Sequence, residues 1–217
     1  MENRSAQVRD LRTDYTSRSL SESEVDANPF VQLDQWLAEA IEAKALEPNA
    51  MVVSTLGDDG FPASRVVLLR GLSAEGLNFY TNYDSQKGTE IAAHPKVSAC
   101  FFWPELERQI RISGTCHKLS DEESDAYFAS RPAGSQLGAW ASPQSQTLPS
   151  REALETILEE VKAKYEGQDA IPRPPHWGGY RIVPHRIEFW QGRASRLHDR
   201  IVFHKQGEDW QSSRLAP

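Results

Sequence analysis

Between Met51 and Lys118 the chain repeats one pattern, a short β-branched or aromatic run followed by tight turn chemistry. Met51–Leu56 and Ala63–Leu69 flank Gly57-Asp58-Asp59-Gly60, a hairpin signal. Leu77–Thr81 follows the turn from Gly71 to Gly76, and Val97–Trp103 and Gln109–Lys118 meet around Pro104. Connections this short permit only antiparallel pairing, because parallel neighbours need a crossover of a dozen or more residues. The pattern returns in Gly179–Val183, Arg186–Trp190, Ile201–His204 and Trp210–Arg214.

Helices are set between these runs. Asn28 and Pro29 suit an N-cap and a first helical position, and Phe30, Leu33, Trp36, Leu37, Ala40 and Ile41 then form one apolar stripe that ends before Pro48. A short helical stretch is expected near 85–93. Ser120 with Glu123 makes a capping box for Asp121–Ala129, and Ser150 caps a helix through Tyr165. The fold class expected is α+β, an antiparallel barrel-like sheet with peripheral helices, as one domain over 29–217. Arg131–Pro149, rich in Ser, Gln, Gly and Pro, is long for a structureless connection and is read as a functional loop.

The first 28 residues are polar, and their composition is that of a mobile tail. Within them Arg9, Arg12 and Tyr15 form a small cationic and aromatic group able to fold over an anionic ligand. Nothing there has the apolar stretch of a signal peptide and no run approaches bilayer-spanning length, so a cytoplasmic protein is expected.

With 31 acidic against 24 basic residues the net charge is −7, which argues against a nucleic-acid or anionic-membrane binder. An anionic ligand must therefore be held by a local basic cluster. Two cysteines, Cys100 and Cys116, are too few for a disulfide framework, and the six histidines pair at no metal-ligand spacing, so no metal site is expected. Dinucleotide, Walker, HExxH and GxSxG signatures are all missing.

What stands out is basic residues in or beside apolar strands. Arg65 and Arg70 bracket Val66, Val67, Leu68 and Leu69, and in a regular strand they point to opposite faces. Tyr127, Arg131 and Ser135 follow one another at four-residue spacing and line one face if the helix continues, a plausible phosphate grip. Arg196, His198 and Arg200 alternate, so in an extended segment all three face the same way. Like charges gathered at one spot are costly unless they meet an anion or carboxylates.

Seven ordered motifs and the closing Arg214-Leu-Ala-Pro217 together resemble the pyridoxamine 5′-phosphate oxidase family. They are Arg65-Val-Val-Leu-Leu-Arg70, Phe79-Tyr-Thr-Asn82, Leu106-Glu-Arg-Gln109, Ser130-Arg-Pro132, Gln136-Leu-Gly-Ala-Trp140, Phe189-Trp-Gln-Gly192 and Arg196-Leu-His-Asp-Arg200. The resemblance runs from about Leu11 to Pro217. It implies a split β-barrel homodimer with FMN at the subunit interface. The reaction implied is oxidation of pyridoxine or pyridoxamine 5′-phosphate to pyridoxal 5′-phosphate, with O₂ reduced to hydrogen peroxide. Motif by motif, it assigns FMN binding to Arg65, Val66, Val67, Leu68, Leu69, Arg70, Tyr80, Thr81, Gln86, Lys87, Gln109, Gln144, Ser145, Trp190 and Arg200. Arg70, Tyr127, Arg131 and Ser135 are implied to hold the substrate phosphate. Arg196 and His198 are implied to lie over the substrate ring as the catalytic pair, with Leu197 beside them, and Arg12, Thr13, Asp14 and Tyr15 to close over it. Two positions depart from the family pattern. Arg70 stands where lysine is usual, and Gln86 stands where many members carry a basic residue. Two other functions remain compatible with the residues, a different split-barrel flavin oxidoreductase and a non-catalytic carrier of FMN or pyridoxal phosphate.

Overall fold

Four polar side chains start four of the helices. Asn28 Oδ1 accepts from the Phe30 N–H at 2.9 Å, and Ser120 Oγ accepts from the Glu123 N–H at 3.1 Å while Glu123 accepts from the Ser120 N–H in return. Ser85 and Ser150 accept from the N–H groups of Gly88 and Ala153, each at 3.3 Å. Each cap satisfies a backbone donor that has no partner within its helix.

The computed structural model describes residues 2–11, 14–16 and 18–217. Its helices are α1 (Glu2–Asp10), α2 (Pro29–Glu42), α3 (Gln86–Ala93), α4 (Asp121–Ala129), α5 (Ala133–Ala141) and α6 (Arg151–Tyr165). Its strands are β1 (Ala50–Leu56), β2 (Pro62–Leu68), β3 (Gly71–Ser73), β4 (Gly76–Asn82), β5 (Lys96–Trp103), β6 (Arg108–Lys118), β7 (Trp177–Gln191), β8 (Asp199–Gln206) and β9 (Asp209–Arg214). They form one nine-stranded sheet in the order β2-β1-β5-β6-β7-β4-β3, with β8 on β7 and β9 on β8. The α+β class and the antiparallel hairpins are as the turn chemistry requires: β1 pairs β2 from Ala50↔Leu68 to Leu56↔Pro62, and β8 pairs β9 in the same sense.

Four features differ from the sequence reading. The two C-terminal runs expected around Pro184 are one strand, β7. It pairs β4 over Trp177–Ile182 and β8 over Arg186–Gln191, so Pro184, which has no N–H to give, falls between those two ladders. The segment read as a loop contains α5, whose Gln136 Nε2 donates to the carbonyls of Phe128, Ala129 and Arg131 at 2.9, 3.2 and 3.1 Å. That one amide caps the end of α4 and fixes the bend into α5. Gly71–Ser73 forms a short strand, and the polar opening segment contains α1, which no apolar periodicity announces.

The residues fall into two compact units. One comprises the chain up to Pro48 with Phe101–Arg111 and Arg186–Pro217; the other comprises Asn49–Cys100 with Ile112–His185. In the first, Trp36 packs edge-on to Phe189 at 5.1 Å, and Phe189 in turn meets Phe203 at 5.8 Å. The buried Arg108 guanidinium lies 4.2 Å over Trp36 and donates to Gln191 and Glu39, each at 2.9 Å. Glu188, 1% exposed, collects Arg186 at 2.5 Å, Arg200 at 2.8 Å and Arg111 at 3.6 Å. In the second unit Met51, Val53, Leu77, Phe79, Val97, Ala99, Ile112 and Ile182 are buried together with Ile91 of α3. A Cβ at Gly88 would stand 2.1 Å from the Tyr83 carbonyl oxygen, so only glycine lets α3 lie this close to the chain after β4. The two cysteines form no disulfide, and burial pushes the Cys116 thiol up to about 12. No helix among the described residues is long and apolar enough to cross a membrane.

Burial raises the Glu188 carboxyl, but hydrogen bonds and charge from Arg186 and Arg200 outweigh it and hold the group below its usual range. Its stabilising contribution is therefore present above the ordinary carboxylate pKa and is lost as pH falls through the lowered one. Glu188→Gln should cost about 3 kcal/mol in urea unfolding at neutral pH, the low end for a broken buried pair because the arginines keep solvent access. It should also flatten the fall in stability on the acid side of the ordinary carboxylate range. An unchanged acid limb would show that the arginines do not depend on this carboxylate.

Candidate functional site

A cavity of about 1030 Å³ opens in the second unit, lined from β2, β4, α3, α4, α5 and the segment after α5. It brings together Arg65, Val66, Val67, Leu68, Arg70, Tyr80, Thr81, Gln86, Lys87, Tyr127, Arg131, Ser135, Gln144 and Ser145, fourteen of the expected residues. Leu69 alone of the Arg65–Arg70 run turns into the core, at 6% exposure.

One cationic end is built by β1, β2 and α3. Arg65 donates to Glu90 at 3.1 Å and to Thr55, and Thr55 donates to the same Glu90 carboxylate. Gln86 Nε2 donates to the other Glu90 oxygen at 2.8 Å. Lys87 is buried, and its Nζ meets three neutral oxygens, Gln144 Oε1 at 2.9 Å, Thr81 Oγ1 at 3.1 Å and Ser85 Oγ at 3.3 Å. Burial, and secondarily the Arg65 charge, pull the Lys87 ammonium below the usual lysine range. Burial also raises the Glu90 carboxyl, but bonds from Thr55, Gln86 and Arg65 overcome it and keep the group ionised. Arg65 thus has one carboxylate beside it, while the Lys87 ammonium lies among neutral oxygens.

The other end is built where α4 bends into α5. The expectation of one continuous helix through Tyr127, Arg131 and Ser135 fails, because α4 stops at Ala129 and α5 starts after Pro132. All three side chains still reach the cavity, since the Gln136 amide holds the bend that aims them. Arg65 and Arg70 likewise escape the opposite-face rule, because β2 ends at Leu68 and Arg70 lies beyond it, its N–H donating to the Asn78 carbonyl at 2.8 Å. Arg131 is half-buried, and its Nη1 has no hydrogen-bond partner among the described residues. Burial and the Arg70 charge press its pKa down, against the opposing pull of Tyr127. Tyr80, Tyr127 and Trp177 form a parallel aromatic wall, with Tyr80 and Tyr127 centroids 3.7 Å apart. Trp177 and Glu90 are residues that sequence reasoning missed. The Trp177-Gly-Gly179 start of β7 was the available signal for the first.

The remaining expected residues belong to the first unit. Tyr15 packs against Trp190 at 5.8 Å and His198 at 5.9 Å, and Trp190 meets His198 at 4.6 Å. A Cβ at Gly192 would stand 2.7 Å from Tyr15, so glycine admits that ring. The Arg193 N–H donates to His198 Nδ1 at 3.1 Å, which puts the hydrogen of the neutral ring on Nε2. Arg196, His198 and Arg200 do not share a face as expected of an extended segment. Ser195 and Arg196 have φ of 58° and 61°, so the chain turns there and leaves Arg196 and Leu197 exposed. Arg200 donates to Glu188 at 2.8 Å and to the Ala216 carbonyl at 2.9 Å. Gln109 is half-buried on β6 and Asp14 is exposed. Arg12 and Thr13 lie outside the described residues.

The cavity's guanidinium forks, ammonium, hydroxyls and flat aromatic wall are groups suited to phosphates and planar rings. Fold and cavity together define an α+β protein with one cationic, hydroxyl-lined cavity walled by aromatic rings. A sequence model described as pyridoxamine 5′-phosphate oxidase matches residues 37–165, and one described as the pyridoxine 5′-phosphate oxidase C-terminal dimerisation region matches residues 177–217. The chain is 55% identical over 208 residues to a pyridoxine/pyridoxamine 5′-phosphate oxidase of Synechocystis sp., covering 96% of this chain and 97% of that one. It is 53% identical over 211 residues to the protein so named in Burkholderia lata, with 96% and 98% covered. Among solved structures, PhzG from Burkholderia lata 383 in complex with tetrahydrophenazine-1-carboxylic acid matches with TM-score 0.87 and 33% identity over 94% of this chain and 100% of that one. A pyridoxamine 5′-phosphate oxidase-related, FMN-binding protein of Nostoc punctiforme shares the fold, with TM-score 0.68 and 19% identity over 92% and 100%. The chain belongs to the pyridoxamine 5′-phosphate oxidase family and has its antiparallel split-barrel fold.

A half-buried guanidinium with an unpartnered nitrogen is a liability without its ligand. Arg131→Met should raise the stability of the ligand-free protein by about 1 kcal/mol in denaturant unfolding. A loss of stability instead would make Arg131 a structural residue.

Proposed function

We propose that this chain is an FMN-dependent oxidase that converts pyridoxine or pyridoxamine 5′-phosphate to pyridoxal 5′-phosphate. The observation that carries the reading is the pair of under-neutralised cationic ends in one cavity, where Arg65 pairs with Glu90, the Lys87 ammonium meets neutral oxygens and Arg131 Nη1 has no partner among the described residues. That donor set fits two phosphate groups, one on a cofactor and one on a substrate. FMN, when bound, supplies the two-electron acceptor and hands the electrons to O₂, giving hydrogen peroxide.

Arg65 and Lys87 take the cofactor phosphate, with Thr81, Gln86, Gln144 and Ser145 adding neutral donors and Tyr80 and the Val66–Leu69 run completing the pocket. Gln86 puts no charge where many family members have one, and Arg65 and Lys87 carry more of the load. Arg70, Tyr127, Arg131 and Ser135 take the substrate phosphate and so fix the carbon to be oxidised, which makes its reaction effectively unimolecular. At Arg70 a planar fork replaces the usual ammonium, which favours a bidentate hold on that phosphate. Gln109, Trp190 and Arg200 complete the cofactor site in a homodimer, a reading supported by the matched dimerisation region. Arg196, Leu197 and His198 face the substrate ring, closed over by Arg12–Tyr15. His198 offers its Nε2 hydrogen to the substrate, Nδ1 being engaged by the Arg193 N–H. From the pyridoxine form a hydride leaves the alcohol carbon and a proton leaves its hydroxyl oxygen. From the pyridoxamine form the resulting imine is hydrolysed, releasing ammonia.

A second reading, oxidation of a reduced tricyclic compound, is favoured by the likeness to PhzG. Identity is 33% to PhzG and 53% to the oxidase of the same species, which supports the vitamin substrate over the tricyclic one. Purified protein carrying FMN should bleach in the flavin band on anaerobic addition of pyridoxine 5′-phosphate and recover in air with one peroxide per pyridoxal phosphate. Absence of bleaching would overturn the proposal. Bleaching by a dihydrophenazine alone would support the second reading, and by neither compound a carrier.

A further inference from the structure

The arginines of the second unit are held in two different ways. Arg173 donates to Asp125 and Asp121 at 2.6 and 2.7 Å, and Arg181 is tied to Glu75 and Glu123. Each of these charges is spent on carboxylates. Arg131 has no carboxylate within ion-pair distance among the described residues, and its guanidinium carbon lies 4.5 Å over the Trp177 ring and 5.6 Å from the Phe128 ring centre. The distinction is chemical. A carboxylate that orients a guanidinium also neutralises it and competes with an incoming anion, whereas an aromatic face orients it and leaves its charge and its N–H donors available.

Trp177 is built to be that face. It is 6% exposed, parallel to Tyr127 at 6.2 Å and to Tyr80 at 5.7 Å, and edge-on to Phe128 at 5.2 Å. Its N–H donates to the Pro174 carbonyl at 3.0 Å, and its own carbonyl accepts from Arg173 Nη1 at 2.6 Å. Backbone and ring are both fixed, so the indole has no freedom to follow the arginine; the arginine must follow the indole. We infer that Trp177 is a positioning residue of the anion grip, holding the Arg131 guanidinium charged and directed into the cavity. The inference rests on the reading that Arg131 takes the substrate phosphate. It predicts that affinity for the phosphate depends on the indole face.

The test measures binding of three probes to FMN-loaded protein: inorganic phosphate, pyridoxal 5′-phosphate and pyridoxal. Trp177→Leu should weaken inorganic phosphate and pyridoxal 5′-phosphate alike, by about tenfold, and weaken pyridoxal by no more than about twofold. Trp177→Phe, which keeps a ring in the slot, should lose no more than about threefold, and it carries the test if the leucine variant does not fold. In an Arg131→Met background neither substitution should cost anything further, because the contact it removes is already gone. Undiminished phosphate binding in Trp177→Leu would overturn the inference. So would an equal loss in the Arg131→Met background, or a matching loss of pyridoxal. Wild-type protein that binds inorganic phosphate but not pyridoxal 5′-phosphate would defeat the vitamin reading while the variants still decide the role of Trp177. Binding of neither would defeat both.

Discussion

Cations held out of water without a full set of counter-charges govern the rest of this molecule. Lys87 sits among neutral oxygens, Arg65 shares one carboxylate with Thr55 and Gln86, and Arg131 rests on an aromatic face with one nitrogen unpartnered among the described residues. Each arrangement costs free energy in the ligand-free chain, of the order of a few kcal/mol per poorly compensated ion. A rigid frame has to bear that cost. The β1–β2 hairpin, the glycine-permitted approach of α3 and the Gln136 clasp between α4 and α5 are the elements that do so. Their combined effect is to keep charge available for a ligand in place of letting it relax onto the 31 acidic residues of the chain.

Most of the fold was legible because its signals are local. Turn residues between short apolar runs dictate antiparallel hairpins, and caps at Asn28, Ser120 and Ser150 mark helix starts to the residue. The failures have physical causes too. Pro184 reads as a strand breaker, yet it is harmless where a strand changes partners. The start of α5 is hidden because Pro132 precedes it and no side-chain cap announces it; the donor that secures the bend comes from within the helix, at Gln136.

The site was legible as a set of motifs and not as a geometry. Periodicity placed Tyr127, Arg131 and Ser135 on one helix face, and they meet instead across a bend. Alternation placed Arg196, His198 and Arg200 on one side, and the left-handed backbone at Ser195 and Arg196 turns them apart. Trp177 escaped notice because its contribution depends on a ring stack among residues distant in sequence, Tyr80, Tyr127 and Arg131. The family's fold is shared by PhzG, so the choice of substrate belongs to such side chains and not to the barrel.

The proposed function requires basic groups from separate stretches to converge on two dianions in one cavity. Crystals of the protein grown with FMN and pyridoxal 5′-phosphate would locate both dianions. One phosphorus atom should lie beside Arg65 and Lys87 and the other beside Arg70, Arg131 and Ser135. Both phosphates lodged elsewhere, with these side chains unmoved and in contact with neither, would contradict it.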